Sequence, residues 1–410
     1  MFGYKRNATA KLPKPFWVLA GGSLINATGA GLVFPFMTLY LRQKLGIPMT
    51  VVGMLLMLNG AVGLAPLMVG GWLADRLGRR KLILFSLFSW GLATMGIGLA
   101  DRLEAVAVAL AIESLMGSLF DPAANAMVAD IIPVEQRAEA YGILRVVRNL
   151  GIVIGPAIGG LVVGTGTYLY LFSGSALSAL LFFLIALFGL PETLPIKAEL
   201  VSEEAPASYR MALRDRTFVA FCLVATLLSL VIVQLTTTLP VFLKDERFIP
   251  ESRWGLLMSL NAAMVVLLQF PLTRLTERFS RTRMMALGAL LYGLGYGAVA
   301  LAPGVVAVAG CVVVFTLGEM IYMPTSTAFV ADLAPAAMRG RYMGLASLVW
   351  GIGYSTGPFL GGLVMDRLGG MFIWPLCLLL GLVSGGAFLF LRQHAQRATR
   401  ETSAAAPETP

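Results

Sequence analysis

Residues 71–81 read Gly71-Trp72-Leu73-Ala74-Asp75-Arg76-Leu77-Gly78-Arg79-Arg80-Lys81, one acid and four cations around a turn glycine. Apolar runs flank the segment at 51–74 and 82–100, each of the length, about 20 residues, that crosses a hydrocarbon layer roughly 30 Å thick. Gly78 permits a turn, and Asp75 is placed to cap or pair at a helix end. The cations can meet the negative end of a helix and anionic headgroups. The stretch therefore reads as a short loop at a membrane surface. Cations alone would enforce topology, but an acid among them adds nothing to topology, so the loop is also a candidate gate.

The same pattern returns at a constant offset of 202. Ile47-Pro48 recurs as Ile249-Pro250, Asp75-Arg76 as Glu277-Arg278, Arg79 as Arg281, and Ala129-Asp130 as Ala331-Asp332. Pro133 recurs as Pro335, Arg137 as Arg339, and Gly155-Pro156-x-x-Gly159-Gly160 as Gly357-Pro358-x-x-Gly361-Gly362. One register across five helices marks two copies of one unit. Apolar runs predict twelve helices, near 16–41, 51–74, 82–100, 105–131, 141–164, 168–190, 217–243, 253–275, 284–301, 304–331, 341–365 and 371–391. The expected organisation is a cytoplasmic N-terminus (1–15), a six-helix bundle (16–190), a cytoplasmic linker (191–216), a second six-helix bundle (217–391) and a disordered cytoplasmic tail (392–410). The fold class is an all-α membrane protein built of two pseudo-repeats.

Composition excludes the soluble classes. The 410 residues are 58% hydrophobic and 13% charged, against roughly 45–50% and 25% in soluble globular proteins, and the mean hydropathy is +0.81. The net charge of +9 does not call for nucleic acid, because the cations sit in short loops. With the N-terminus inside, 24 Lys and Arg fall on inside segments and 7 on outside ones, which sets both termini in the cytoplasm. The first run is too long for a signal-peptide core and is expected to remain as a span. Cys222, Cys311 and Cys377 lie isolated in apolar runs and read as packing residues, and the single histidine, His394, lies in the tail. No metal site, no cofactor and no His-based chemistry is expected. No GxxxxGK[ST] sequence occurs, so nothing indicates direct ATP coupling.

With these residues in view, the 71–81 loop resembles the signature of the major facilitator superfamily, G-x-L-a-D-r-x-G-r-[kr]. In the fifth span, Gly142, Gly151, Gly155-Pro156 and Gly159-Gly160 resemble the G-x8-G-x3-G-P-x2-G-G pattern of the superfamily's antiporters; ordinary small-residue packing is the competing reading. Over residues 16–391 the chain is similar to the twelve-span drug:proton antiporter branch of bacteria. The resemblance implies a monomeric transporter in the bacterial inner or plasma membrane, with two halves rocking about a cavity lined by spans one, four, seven and ten. It implies protons and small lipophilic or cationic compounds as partners, with the proton gradient as energy source. It also implies a gate in which Asp130 pairs with the Arg76 loop when the cytoplasmic side closes. Arg79, Arg80, Arg137, Glu277, Arg278, Asp332 and Arg339 join that gate through the loop and the repeat. One departure stands out: where that branch often has an arginine four residues before Gly117, this chain has Glu113, so the role often given to that arginine does not carry over.

Ionisable groups within spans are costly and mark function. Glu319, near the centre of the tenth span, is the leading proton-coupling candidate, with Asp121 and Glu113 of the fourth span beside it. Arg148 is expected to pair with Asp121, and Arg145 is the second ion-pair candidate. A cavity for lipophilic cargo would draw on Asn26, Phe34, Phe36, Tyr40, Gln234, Tyr292, Tyr322, Met323, Trp350 and Tyr354. A lipid flippase, or a metabolite or sugar transporter, is the nearest alternative function. A membrane-embedded enzyme is the distant one, since no intramembrane histidine or paired cysteine supplies a catalytic constellation.

Overall fold

Prolines and glycines punctuate the helices. The computed structural model describes residues 12–165, 167–194, 210–335 and 338–404, so most of the expected N-terminal segment and linker lie outside the described residues. Among these, twelve helices are long and apolar enough to cross a membrane, and there is no strand. The first six are α1 (Lys14–Leu45), α2 (Met49–Leu77), α3 (Arg79–Leu99), α4 (Leu103–Ile131), α5 (Val134–Val163) and α6 (Leu169–Gly189). The second six are α7 (Arg216–Leu235), α8 (Glu251–Thr276), α9 (Arg281–Leu301), α10 (Val305–Leu333), α11 (Arg339–Leu368) and α12 (Ile373–Ala404). Pro48, Pro133 and Pro250 precede α2, α5 and α8, where a missing N–H costs nothing. Gly78 (φ 97°) separates α2 from α3 and Gly369 (φ 99°) ends α11, a conformation that favours glycine. The tail departs from expectation: α12 runs on through Ala404, because residues 392–404 contain neither proline nor glycine to stop it.

The halves pack alike. In the first, α1 packs on α5 and α6, α3 on α4 and α6, and α2 on α4; in the second, α7 packs on α11 and α12, α9 on α10 and α12, and α8 on α10. Two repeat-related pairs join the halves, α2 with α11 and α5 with α8. Helices α1 and α7 each break through a 3₁₀ turn, at Phe34–Phe36 and Val233–Leu235. Breaking a helix frees backbone carbonyls that hydrocarbon cannot satisfy. Here they are satisfied across the halves: Trp254 Nε1 donates to Pro35 O at 2.9 Å and Thr38 Oγ1 to Thr236 O at 3.0 Å.

Small residues set the helix spacing. Gly151 and Gly155 lie against Ala27, Thr28 and Gly31 of α1, and Gly159 against Leu32 and Phe36. The partner of Gly155 and Gly159 is thus α1 of the same half. Gly160, with the carbonyl of Pro156, meets the other half at Gly255 of α8. The repeat reproduces this, with Gly353, Gly357 and Gly361 against α7 and Gly362 against the start of α2. Gly142 has nothing within 4 Å of an added Cβ, so it has no part in the seam. We expect Gly155→Ala, whose Cβ would lie 2.6 Å from Gly31 Cα, to cost about 1–3 kcal/mol and lower the unfolding midpoint of the purified protein. Gly142→Ala should leave the midpoint unchanged, and equal effects of the two would dismiss the seam.

Candidate functional site

On the face that carries Glu251, the halves are latched together. Glu251 accepts from Tyr168 Oη at 2.8 Å and Gln43 Nε2 at 2.9 Å, both of the first half, and from Lys244 of its own. Arg42 pairs with Asp245 at 3.0 Å. Asp366, at the end of α11, accepts from the backbone N–H groups of Met49 and Thr50 at 3.1 and 2.7 Å and from Thr50 Oγ1 at 2.6 Å. It caps the first turn of α2, where both unpaired N–H groups and the helix dipole favour an anion.

On the opposite face, which carries Gly78, the charges bind within each half. Arg79 pairs with Asp75 at 2.8 Å and Asp130 at 3.0 Å. Glu192 accepts from Arg79 N at 2.9 Å, Thr193 Oγ1 donates to Asp130, and Arg80 donates to Leu187 O at 2.6 Å. Arg137 returns to Ala129 O and Ile132 O, and Arg76 covers the Trp72 ring. In the second half Arg281 meets Asp332 at 3.4 Å, Arg339 donates to Ala331 O, Arg278 lies over Phe279, and Glu277 is exposed. Gly71, Gly340 and Gly344 face open space. Asp130 meets the loop through Arg79, and that pair lies wholly within one half.

Between the halves lies a cavity of about 560 Å³. Its walls come from α1 to α8 and from α11, mostly from the first half. Helix α10 is not among them, contrary to the expectation for spans one, four, seven and ten. Glu113 is a wall residue: its Oε1 accepts from Trp90 Nε1 at 2.8 Å and its Oε2 from Asn59 Nδ2 at 3.0 Å. Asn59 is itself held by Leu110 O and by Ser114. Asp121 also lines the cavity and takes both terminal nitrogens of Arg148, at 2.8 and 3.3 Å. A side pocket towards the Gly78 face shares that pair and adds Tyr141, Asn149 and Arg145; Arg145 is exposed and forms no ion pair among the described residues.

Glu319 stands apart. It is not a wall residue; its Oε2 accepts from Asn261 Nδ2 at 3.0 Å, which also reaches Thr316 Oγ1. Among the candidate wall residues, Asn26, Phe34 and Tyr354 line the cavity. The others are corrected. Tyr292, Tyr322 and Trp350 belong to an aromatic core in the second half, with Tyr322 stacked on Trp350 at 6.4 Å and edge-on to Tyr292, and Met323 packs against that core. Phe36 is buried against the α5 seam. Tyr40 donates to Ile97 O and Gly98 O and lies 4.4 Å from Phe172. Gln234 donates to Leu230 O and Gly357 O and accepts from Thr237 and Thr238, tying the α7 break to α11.

Five functional residues escaped the reading of the sequence, four of them with a signal to find them. Asn59 and Asn261 obey the 202 offset, as do Trp90 and Tyr292. Each asparagine holds an acid on the neighbouring helix, but the acids themselves sit one turn out of register, so the offset alone conceals the likeness. Asp366 lies in Gly361-Gly362-Leu363-Val364-Met365-Asp366-Arg367-Leu368-Gly369, an echo of Gly70-Gly71-Trp72-Leu73-Ala74-Asp75-Arg76-Leu77-Gly78. The two copies end α11 and α2 on opposite faces, each at a glycine of positive φ. Glu251 carried no signal.

A family model described as Major Facilitator Superfamily matches residues 19–249 and 238–410. Multidrug resistance protein MdtH of Escherichia coli O9:H4 (strain HS) is 28% identical over 84% of this chain and 85% of its own length. A Na(+), Li(+), K(+)/H(+) antiporter of Planococcus maritimus is 28% identical over 82% of this chain and 86% of its own. In fold, the chain is similar to the nucleoside transporter NupG, with a TM-score of 0.80 and 15% identity over 92% of this chain and 99% of that one.

The cap on α2 should govern the closed face. Removing a helix cap costs about 1 kcal/mol, so Asp366→Ala is expected to raise the fraction of molecules open at the Glu251 face by roughly five- to tenfold, read as distances between spin labels placed on the two halves there. Asp101→Ala breaks only the Lys44 pair inside the first half and should leave the distances unmoved. Identical distributions for wild type and Asp366→Ala would rule out the latch.

Proposed function

The chain belongs to the Major Facilitator Superfamily, and on that premise we propose that it is a proton-coupled exporter of small lipophilic or cationic compounds working by alternating access. The observation that carries this reading is the inter-half cavity with Glu113 in its wall, a carboxyl that forms no ion pair among the described residues. The volume suits a drug-sized molecule. Two relatives named for multidrug resistance and for cation/proton antiport support exchange, as does the glycine seam of α5.

The excess of Lys and Arg on the segments around Gly78 makes that face cytoplasmic in this reading. The conformation is then open to the cytoplasm and sealed outside by Asp366, Glu251 and Arg42. Cargo enters from the cytoplasm and meets Glu113. Trp90 and Asn59 hold one bond each to its two oxygens, and an ionised carboxylate has about four acceptor sites, so room remains for a proton or a cation. A cation bound there favours loss of the proton, and reloading the proton expels the cation; the coupling is reciprocal. We assign this role to Glu113 ahead of Glu319, which is not a cavity wall, and treat Asp121–Arg148 as a bridge between α4 and α5. In this proposal one chain is the working unit, and the proton gradient serves without a cofactor.

In proteoliposomes with an imposed pH gradient, Glu113→Gln should abolish gradient-driven transport while cargo exchange without a gradient persists. Glu319→Gln should retain gradient-driven transport. The reverse pattern would move the proton site to α10 and sink the assignment.

A further inference from the structure

Three residues that line the cavity each carry a buried oxygen without a hydrogen-bond partner: Asn26 Oδ1 on α1, Thr94 Oγ1 on α3 and Ser175 Oγ on α6. Thr94 is 2% exposed and Ser175 0%. Packing brings them together. Gly91 lies against Ala176 and Ala179, and Gly98 against Phe172, so the antiparallel register of α3 and α6 sets Thr94 beside Ser175. Gly29, one turn from Asn26, lies against Ser175 and Ser178. Trp90, one turn before Thr94, carries the bond to Glu113. Asn26, Thr94, Ser175 and Glu113 thus lie on the part of the wall formed by α1, α3, α4 and α6.

Burying a polar group without a partner is unfavourable, and each such group in a native protein calls for an explanation. A ligand that supplies the partners is one. Asn26 Oδ1 is an acceptor only, an ionised Glu113 is an acceptor only, and both hydroxyls can accept. The complement to four acceptors, one of them charged, is a cation that brings several N–H donors. Resting on the cargo reading above, we propose that the cavity takes protonated primary and secondary amines with an apolar body. The ammonium N–H groups bond to Asn26, Thr94 and Ser175 beside Glu113, and the body lies along the apolar wall towards Phe34 and Ile152. A quaternary ammonium carries the charge but no N–H, and would leave the same oxygens buried and unpaired.

The test is equilibrium binding to the full-length protein in nanodiscs, using 4-(1-naphthyl)butylammonium and its N,N,N-trimethyl derivative as a matched fluorescent pair. The ammonium probe should bind at least about tenfold more tightly, as expected when unpaired polar groups reject a ligand lacking donors. Thr94→Val and Ser175→Ala should each weaken the ammonium probe several-fold and leave the trimethyl probe unchanged, while Thr94→Ser restores the preference. Equal affinity of the two probes, binding of neither, or a preference indifferent to Thr94→Val and Ser175→Ala would overturn the proposal. Loss of the preference with gradient-driven transport intact sinks the amine site alone; a preserved preference without proton coupling sinks the antiport reading alone.

Discussion

Hydrocarbon offers no hydrogen bond to a backbone amide, and this constraint accounts for most of what the molecule does. It makes every span a helix, and it makes each interruption of a helix a debt that some neighbour must settle. The breaks in α1 and α7 are settled by Trp254 and Thr38, each reaching into the other half. The start of α2 is settled by Asp366 of α11. The groups that make the backbone tolerable in the membrane are therefore also the groups that hold the two halves together on one face. Stability and the conformational state share the same bonds.

The two faces use charge differently. Around Gly78 the ion pairs lie inside each half, so parting the halves there breaks none of them: Arg79 keeps Asp75 and Asp130, and Arg281 keeps Asp332. Around Glu251 the bonds cross between halves, as from Gln43 and Tyr168 to Glu251. These bonds sit beside a continuous apolar core shared by the halves, in which Leu39 and Val163 of the first join Leu239 and Trp254 of the second. Between the faces, Gly160 on Gly255 and Gly362 on Met49 let the joining helices approach closely, so the pivot is backbone against backbone.

Sequence reading went furthest where a periodic or repeated pattern carried the information. Apolar run length gave the twelve helices, and the 202 offset gave two halves with the same internal packing, because equivalent residues meet equivalent neighbours. It went least far with the aromatic residues. Tyr292, Tyr322 and Trp350 look the same in sequence whether they line a cavity or fill a core, and here they pack on one another, Tyr322 stacked on Trp350 of α11 and edge-on to Tyr292. Depth along a helix is readable from residue number, but the direction of a side chain around the helix depends on which neighbour it packs against.

The acids divide along the same line. That Glu113, Asp121 and Glu319 lie within spans, and that such groups need partners, follows from the sequence and the low polarity of the bilayer. Which partners they have does not, since Asn59 and Trp90 are 54 and 23 residues from Glu113 in the chain, and only packing of α2 and α3 against α4 brings them together. Fold, span count and the charged loop at Gly78 were local or repeated properties, fixed by residue type and spacing. The cavity wall, the latch at Asp366 and the separation of Glu113 from Glu319 arise from contacts between distant segments, and tertiary structure alone decided them because the energy of a buried polar group depends on what stands within about 3 Å of it.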